Sequence, residues 1–148
     1  MSEKKRYCTF LIDDLLFGIE VSSVQEVIRY QQMTRVPLAP ESIHGLINLR
    51  GQIVTAIDLR SQLDLPGLEE GRLPMNVVVS VDQDAVSFLV DEIGDVLEIE
   101  DERFEEPPPT LQGRIRELVA GVLKLDRKLL LILDIESAAK TERSQVAS

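Results

Sequence analysis

The chain has one cysteine and one histidine in 148 residues, Cys8 and His44, and these two shortages remove most of the familiar routes to catalysis. A lone cysteine makes no intrachain disulfide, so nothing in the cysteine usage points to secretion. Its neighbours Tyr7, Thr9 and Phe10 suggest a strand, which makes Cys8 a buried structural thiol rather than a nucleophile. Ser-His-Asp and Cys-His triads could be built only around His44, and no serine sits in a nucleophile-elbow pattern. His44 itself, beside Gly45, reads as a structural side chain. Metal sites need converging His, Cys or carboxylate ligands, and nothing here has that spacing. No G-x-G-x-x-G or G-K-[ST] loop follows a strand. No catalytic residue, metal or cofactor is therefore expected.

Positive charge and long apolar runs are also scarce. Sixteen Lys and Arg face 26 Asp and Glu, a net charge of −10. Nucleic acid calls for a basic stripe, and anionic membrane surfaces attract basic segments, so neither is an expected partner. The acid concentrates in residues 91–106 (DEIGDVLEIEDERFEE), where Arg103 is the only cation; a solvated acidic rim is the plain reading. The longest aliphatic run, Leu129–Leu133, is far short of a membrane span. Lys4-Lys5-Arg6 precedes an apolar stretch that Asp13-Asp14 soon interrupts, with no small-residue cleavage site, so no signal peptide is read. A cytoplasmic protein without membrane insertion is expected.

What the chain does contain is a unit used twice. In VPLAPESIHGLINLRGQIVTAIDLR (residues 36–60), Gly45, Leu49, Asp58 and Leu59 recur 76 residues later as Gly121, Leu125, Asp134 and Ile135. Earlier segments match at an offset of 69: Phe10–Asp13 against Val79–Asp82, and Ile19–Val24 against Phe88–Ile93. The difference between the offsets fits a longer second loop, where Pro107-Pro108-Pro109 lies. A body of about 60 residues buries too little surface to be stable alone, so the two copies should pack together.

Within the first copy, Tyr7–Ile12 and Phe17–Val21 read as strands joined at Asp13-Asp14. Ser22-Ser23 can cap a short helix with Val24, Val27 and Ile28 on its apolar face. Arg29–Val36 is extended, and Pro37 and Pro40 stiffen the next connector. Ile43–Leu49 and Gln52–Asp58 form a hairpin turning at Arg50-Gly51, Gly51 being suited to positive φ. Both faces of Gln52–Asp58, Ile53/Thr55/Ile57 and Val54/Ala56, are apolar or small, which predicts a strand covered on two sides. Ser61–Pro74 is a polar connector. In the second copy, Asn76–Val81 and Val86–Val90 form a hairpin around Asp82-Gln83-Asp84, and Val96–Glu100 reads as a strand. Leu118–Leu125 and Lys128–Leu133 close the copy around Asp126-Arg127. A short helix starts at Ile135, and residues 141–148 are expected to be a disordered tail. Short strands at close spacing predict an all-β fold of barrels.

One catalytic alternative arises. Asp13 and Asp14 end one strand and Asp58 another, as the magnesium-binding acids and phosphoacceptor of a receiver domain do. That fold needs long amphipathic helices between its strands, and the Gly/Pro punctuation leaves room for only one short helix between Val21 and Ile43. Asp82 and Asp134 occupy the equivalent places in the second copy, which favours turn and capping roles.

With INLRGQIVTAIDLR following VPLAPESIHGL, the chain resembles the CheW-type coupling proteins of bacterial chemosensory arrays over residues 7–137. The resemblance implies two packed five-stranded SH3-like barrels, 7–65 and 75–137, forming one CheW-like domain, with some exchange of a C-terminal helix and strand. It implies a non-catalytic adaptor that binds chemoreceptor cytoplasmic tips and the regulatory domain of a CheA-type histidine kinase, in the cytoplasm at membrane arrays. Carried over by motif, the partner-binding residues are Gly45, Asn48, Arg50 and Gly51, with Val24, Glu26 and Val27 of the VQEV segment. Gly45, Gly51, Val24 and Val27 also have packing explanations. Arg50 at a hairpin tip does not, and a hydrogen-bonded pair with Glu26 is expected to orient it on a contact surface. The chain departs from the family pattern at Thr55, where proline is usual, at Leu123, where a second glycine is frequent, and in its polar Ser137-Ala-Ala-Lys. A chain that opens at Met1 with no second domain is expected to be the free adaptor rather than a kinase segment. A structural barrel pair without a signalling partner is the remaining alternative.

Overall fold

The computed structural model describes residues 3–100 and 103–139; the tail expected at 141–148 lies outside them. Eleven strands occur in order: β1 Lys4–Ile12, β2 Leu15–Glu20, β3 Val24–Ile28, β4 Ile43–Leu49, β5 Gln52–Asp58, β6 Met75–Val81, β7 Asp84–Val90, β8 Glu92–Glu100, β9 Phe104–Glu105, β10 Val119–Lys124 and β11 Leu129–Leu133. Two short helices, α1 Leu59–Gln62 and α2 Arg114–Leu118, interrupt them, and residues 135–139 are helical. The hairpin turns form because the chain accepts left-handed backbone there. Arg50 and Gly51 have φ of 53° and 83°, and Asp82 and Gln83 have φ of 49° and 71°, the signature of two-residue turns whose twist suits antiparallel strands.

The strands form two sheets, one ordered β8-β1-β2-β11-β10-β9 and the other β3-β6-β7-β5-β4. Each draws on both repeats. The β1–β2 hairpin of the first copy sits among β8, β10 and β11 of the second, and the β6–β7 hairpin of the second sits among β3, β4 and β5 of the first. Each repeat thus gives its first two strands to the sheet that holds the remaining strands of the other. Link length explains this. A single residue, Asp91, separates β7 from β8, too few for a hairpin turn, so the chain runs on into the other sheet. The three-residue 3₁₀ turn Val21–Ser23 does the same between β2 and β3.

Register repeats faithfully. Thr55 pairs with Val86 and Ala56 with Ser87; at the sequence offsets these become Leu131 with Phe17 and Ile132 with Gly18, which are the pairs observed. Each sheet curls closed by a continuation of its third strand. Thr34 bridges to Leu46, and in the second sheet β9 pairs with Val122 and Leu123 of β10. This adds a sixth strand to the five expected there.

The segment Val24–Ile28 is a strand paired with β6, not the helix that its apolar spacing predicts. Its β-branched Val24, Val27 and Ile28 suit a pleated surface, and pairing to the buried β6 outweighs a local pattern only five residues long. The largest core lies between the sheets and takes Phe10, Ile12, Phe17 and Ile19 from one and Ile57, Val77, Val79 and Phe88 from the other. Phe10 and Phe17 stack at its centre, with ring centroids 5.8 Å apart. Such fully buried side chains each contribute about 1.5–3 kcal/mol, which ties the two sheets into one body. Smaller cores fill each barrel.

Candidate functional site

The β4–β5 turn is built to present an arginine. Asn48 Oδ1 accepts a hydrogen bond from the Gly51 amide at 3.1 Å, fixing the turn, and φ of 83° at Gly51 suits glycine. The Arg50 guanidinium then grips the Glu26 carboxylate with both arms, Nη1 to Oε2 at 2.6 Å and Nη2 to Oε1 at 3.0 Å. Glu26 lies on β3, at the opposite edge of the sheet from β4. The pair therefore joins the β4–β5 turn to the edge strand β3. Arg50 remains 76% exposed while Glu26 is only 21% exposed. An exposed pair of this kind adds about 0.2–1 kcal/mol to stability, so its chief effect is to hold the guanidinium in one orientation. At the repeat offsets the corresponding residues are Asp95 and Asp126, two acids, so the second barrel cannot form this pair.

Of the seven residues expected to serve partners, Glu26, Asn48, Arg50 and Gly51 thus meet at one tip. Gly45 is buried below it, where the connector crosses β4. A Cβ there would stand 2.8 Å from the Thr34 carbonyl oxygen and 3.0 Å from Met33 Cβ, so glycine lets Thr34 bridge to Leu46 on both sides, at 2.9 and 2.8 Å. Its counterpart Gly121 is also closely covered, but by the Phe104 ring and not by backbone. Val24 packs against the shared core, and Val27 is half-buried on β3. Ile53, expected on a covered face, is 60% exposed; it pairs with Asn48 in register and extends the tip with an apolar side chain. Its place beside the turn, beyond the reach of the covering layer, is the signal that the alternation pattern alone missed.

The three acids of the receiver alternative do not form a receiver site. Asp58 caps α1, its Oδ1 accepting from the Arg60 amide at 3.0 Å, and Asp134 accepts from the Ser137 amide at 3.2 Å in the equivalent place. Asp13 pairs with the Arg60 guanidinium at 2.9 Å. Among the described residues no group of three His, Cys, Asp or Glu could hold a metal ion. The helices between strands are four and five residues long, which a doubly wound fold does not allow. His44 packs edge-on against Tyr30. Cys8 is half-buried rather than fully buried, and burial pushes its thiol above the ordinary value. No described helix is long and apolar enough to cross a membrane.

The pattern of the CheW-like domain matches residues 6–143. The chain is 30% identical over 138 residues to the chemotaxis protein CheW of Klebsiella aerogenes, covering 93% of this chain and 83% of that one. It is 29% identical over 143 residues to CheW of Bacillus subtilis, covering 97% and 92%. Its fold matches the crystal structure of the scaffolding protein TtCheW from Thermoanaerobacter tengcongensis with a TM-score of 0.82 at 28% identity, over 89% of this chain and 90% of that one. Repeat, exchanged barrels and these likenesses agree: the chain belongs to the CheW-like domain family and is a non-catalytic chemotaxis scaffold.

Proposed function

We propose that this chain couples the cytoplasmic tips of chemoreceptors to the regulatory domain of a CheA-type histidine kinase, working in the cytoplasm at receptor arrays. The two repeats, 7–65 and 75–137, act as one domain. The observation that carries the reading is the β4–β5 tip, where a largely exposed arginine is held in one orientation by Glu26. An arginine fixed in advance loses little further freedom on binding and suits the centre of a protein interface. Asn48 and Gly51 shape the turn, Gly45 lets the barrel close beneath it, and Val24 and Val27 seat the strand that carries Glu26. Ile53 supplies an apolar contact beside the charge.

The test is a pull-down with a receptor cytoplasmic fragment and the kinase. The chain should bring both down in one complex, and Arg50→Ala should reduce recovery of at least one. A folded chain that retains neither partner would refute the adaptor reading and leave a structural barrel pair.

A further inference from the structure

The charged cluster at the junction of the two barrels lies apart from the β4–β5 tip and has a geometry of its own. Asp91 is the single residue by which the chain passes from β7 in one sheet to β8 in the other. Its side chain is only 5% exposed, and its Oδ2 accepts from Arg60 Nη1 at 2.6 Å. The same oxygen accepts from the Asp13 amide at 2.7 Å, while the Asp91 amide donates to the Leu11 carbonyl at 3.0 Å. Arg60 is the second residue of α1, the helix that follows β5, and also donates from Nε to the Pro66 carbonyl at 2.6 Å. Asp13, in the β1–β2 turn of the opposite sheet, meets Arg60 Nη1 at 2.9 Å. One buried guanidinium therefore joins a segment of each barrel and the residue that links them.

Two features separate this cluster from ordinary core packing. Asp91 Oδ1 is buried and has no hydrogen-bond partner among the described residues, and leaving a carboxylate oxygen in that state costs stability. Every side-chain hydrogen bond that Asp91 is seen to accept therefore runs through Oδ2, from the Arg60 guanidinium and the Asp13 amide. The apolar core between the sheets is also non-directional, since burial is rewarded by area and not by angle. A planar guanidinium held at three points is directional. The other crossover, Val21–Ser23, has no side-chain cap, and the residues at the repeat offsets from Asp91 and Arg60 are Ser22 and Glu136. They offer neither a carboxylate at the crossover nor a guanidinium to hold it.

We infer that Arg60, Asp13 and Asp91 are positioning residues that set the angle between the two barrels. Asp91 is the hinge, Arg60 the clamp, and Asp13 the anchor in the second barrel. The consequence for assembly, that partners bound to different barrels are held at a fixed mutual angle, rests on the adaptor reading. The angle itself does not, and it is measured on the chain alone.

The experiment places spin labels at Gln83→Cys and Asp126→Cys, exposed turn residues in opposite sheets, in a Cys8→Ser background. Double electron–electron resonance then reads the distance between them. The unaltered cluster should give one narrow distribution. Asp13→Asn, which removes a half-exposed charge and leaves the core intact, should broaden or shift it, and Arg60→Lys should do so more strongly because ammonium cannot reproduce the fork. Asp14→Ala, in the same turn, should leave it unchanged. Amide exchange within β6–β7 and β10–β11 should stay protected, which separates a change of angle from unfolding. A narrow, unshifted distribution in Asp13→Asn overturns the inference, whether or not the Arg60 variant folds, and assigns the angle to the apolar interface.

Discussion

Arg50→Ala separates the two roles that an arginine at a hairpin tip can have. The substitution removes both hydrogen bonds to Glu26 and leaves the turn intact, since Asn48 and Gly51 still hold it and alanine meets the left-handed φ of 53° at a cost similar to that of arginine. Arg50 is 76% exposed, so solvent already screens the pair, and Glu26 at 21% exposure can be rehydrated. The loss of folding stability should therefore be about 0.5–1 kcal/mol. In a chain of this size about 1 kcal/mol lowers the melting temperature by roughly 2–4 °C, so calorimetry should show only a small shift. Binding should respond more strongly. A central interface arginine is worth about 2 kcal/mol or more, which corresponds to a Kd weaker by roughly 30-fold. Titration calorimetry against the kinase regulatory domain and the receptor fragment measures this directly. Glu26→Gln should weaken the same complex, and the double variant should be no worse than Arg50→Ala, because Glu26 acts through the arginine. Unchanged affinity for both partners would show that the tip is not a contact surface. A fall of more than about 10 °C, well beyond that expected for an exposed pair, would assign Arg50 to the fold.

Gly45→Ala should cost about 1–3 kcal/mol, because its Cβ would press on the Thr34 backbone, which has little room to move; a thermal melt checks this, and an unchanged midpoint would refute the closure argument. Ile53→Ser should leave the melting temperature within roughly 2 °C, since the side chain is mostly in water, yet weaken partner binding in the same titrations. Normal binding would exclude Ile53 from the surface. Burial raises the Cys8 thiol, so less of the reactive thiolate is present at neutral pH. Its alkylation by iodoacetamide should be slower than that of free cysteine at neutral pH and should gain speed only above the pH range where free cysteine does. A rate at neutral pH equal to that of free cysteine would contradict the burial argument.

The sequence by itself determined the repeat and, through it, much of the geometry. The offsets of 76 and 69 residues reproduce the pairings of β5 with β7 and β11 with β2, because side-chain alternation leaves one register that buries both faces. The turns at Arg50-Gly51 and Asp82-Gln83 and the capping role of Asp58 follow from local backbone chemistry, as does the shortage of helix. Only the tertiary structure decided which strands share a sheet. The two copies are alike, so no local pattern states whether the β1–β2 hairpin joins its own copy or the other; short crossovers and the shared core settle it. The same non-local pairing turned Val24–Ile28 into a strand and left Ile53 in water. The pair of Glu26 with Arg50, 24 residues apart, was expected only through the family resemblance, and that of Asp91 with Arg60, 31 residues apart, came with the tertiary structure alone. Such pairs depend on where two distant strands end in space, and the spacing of residues along a chain carries no record of that.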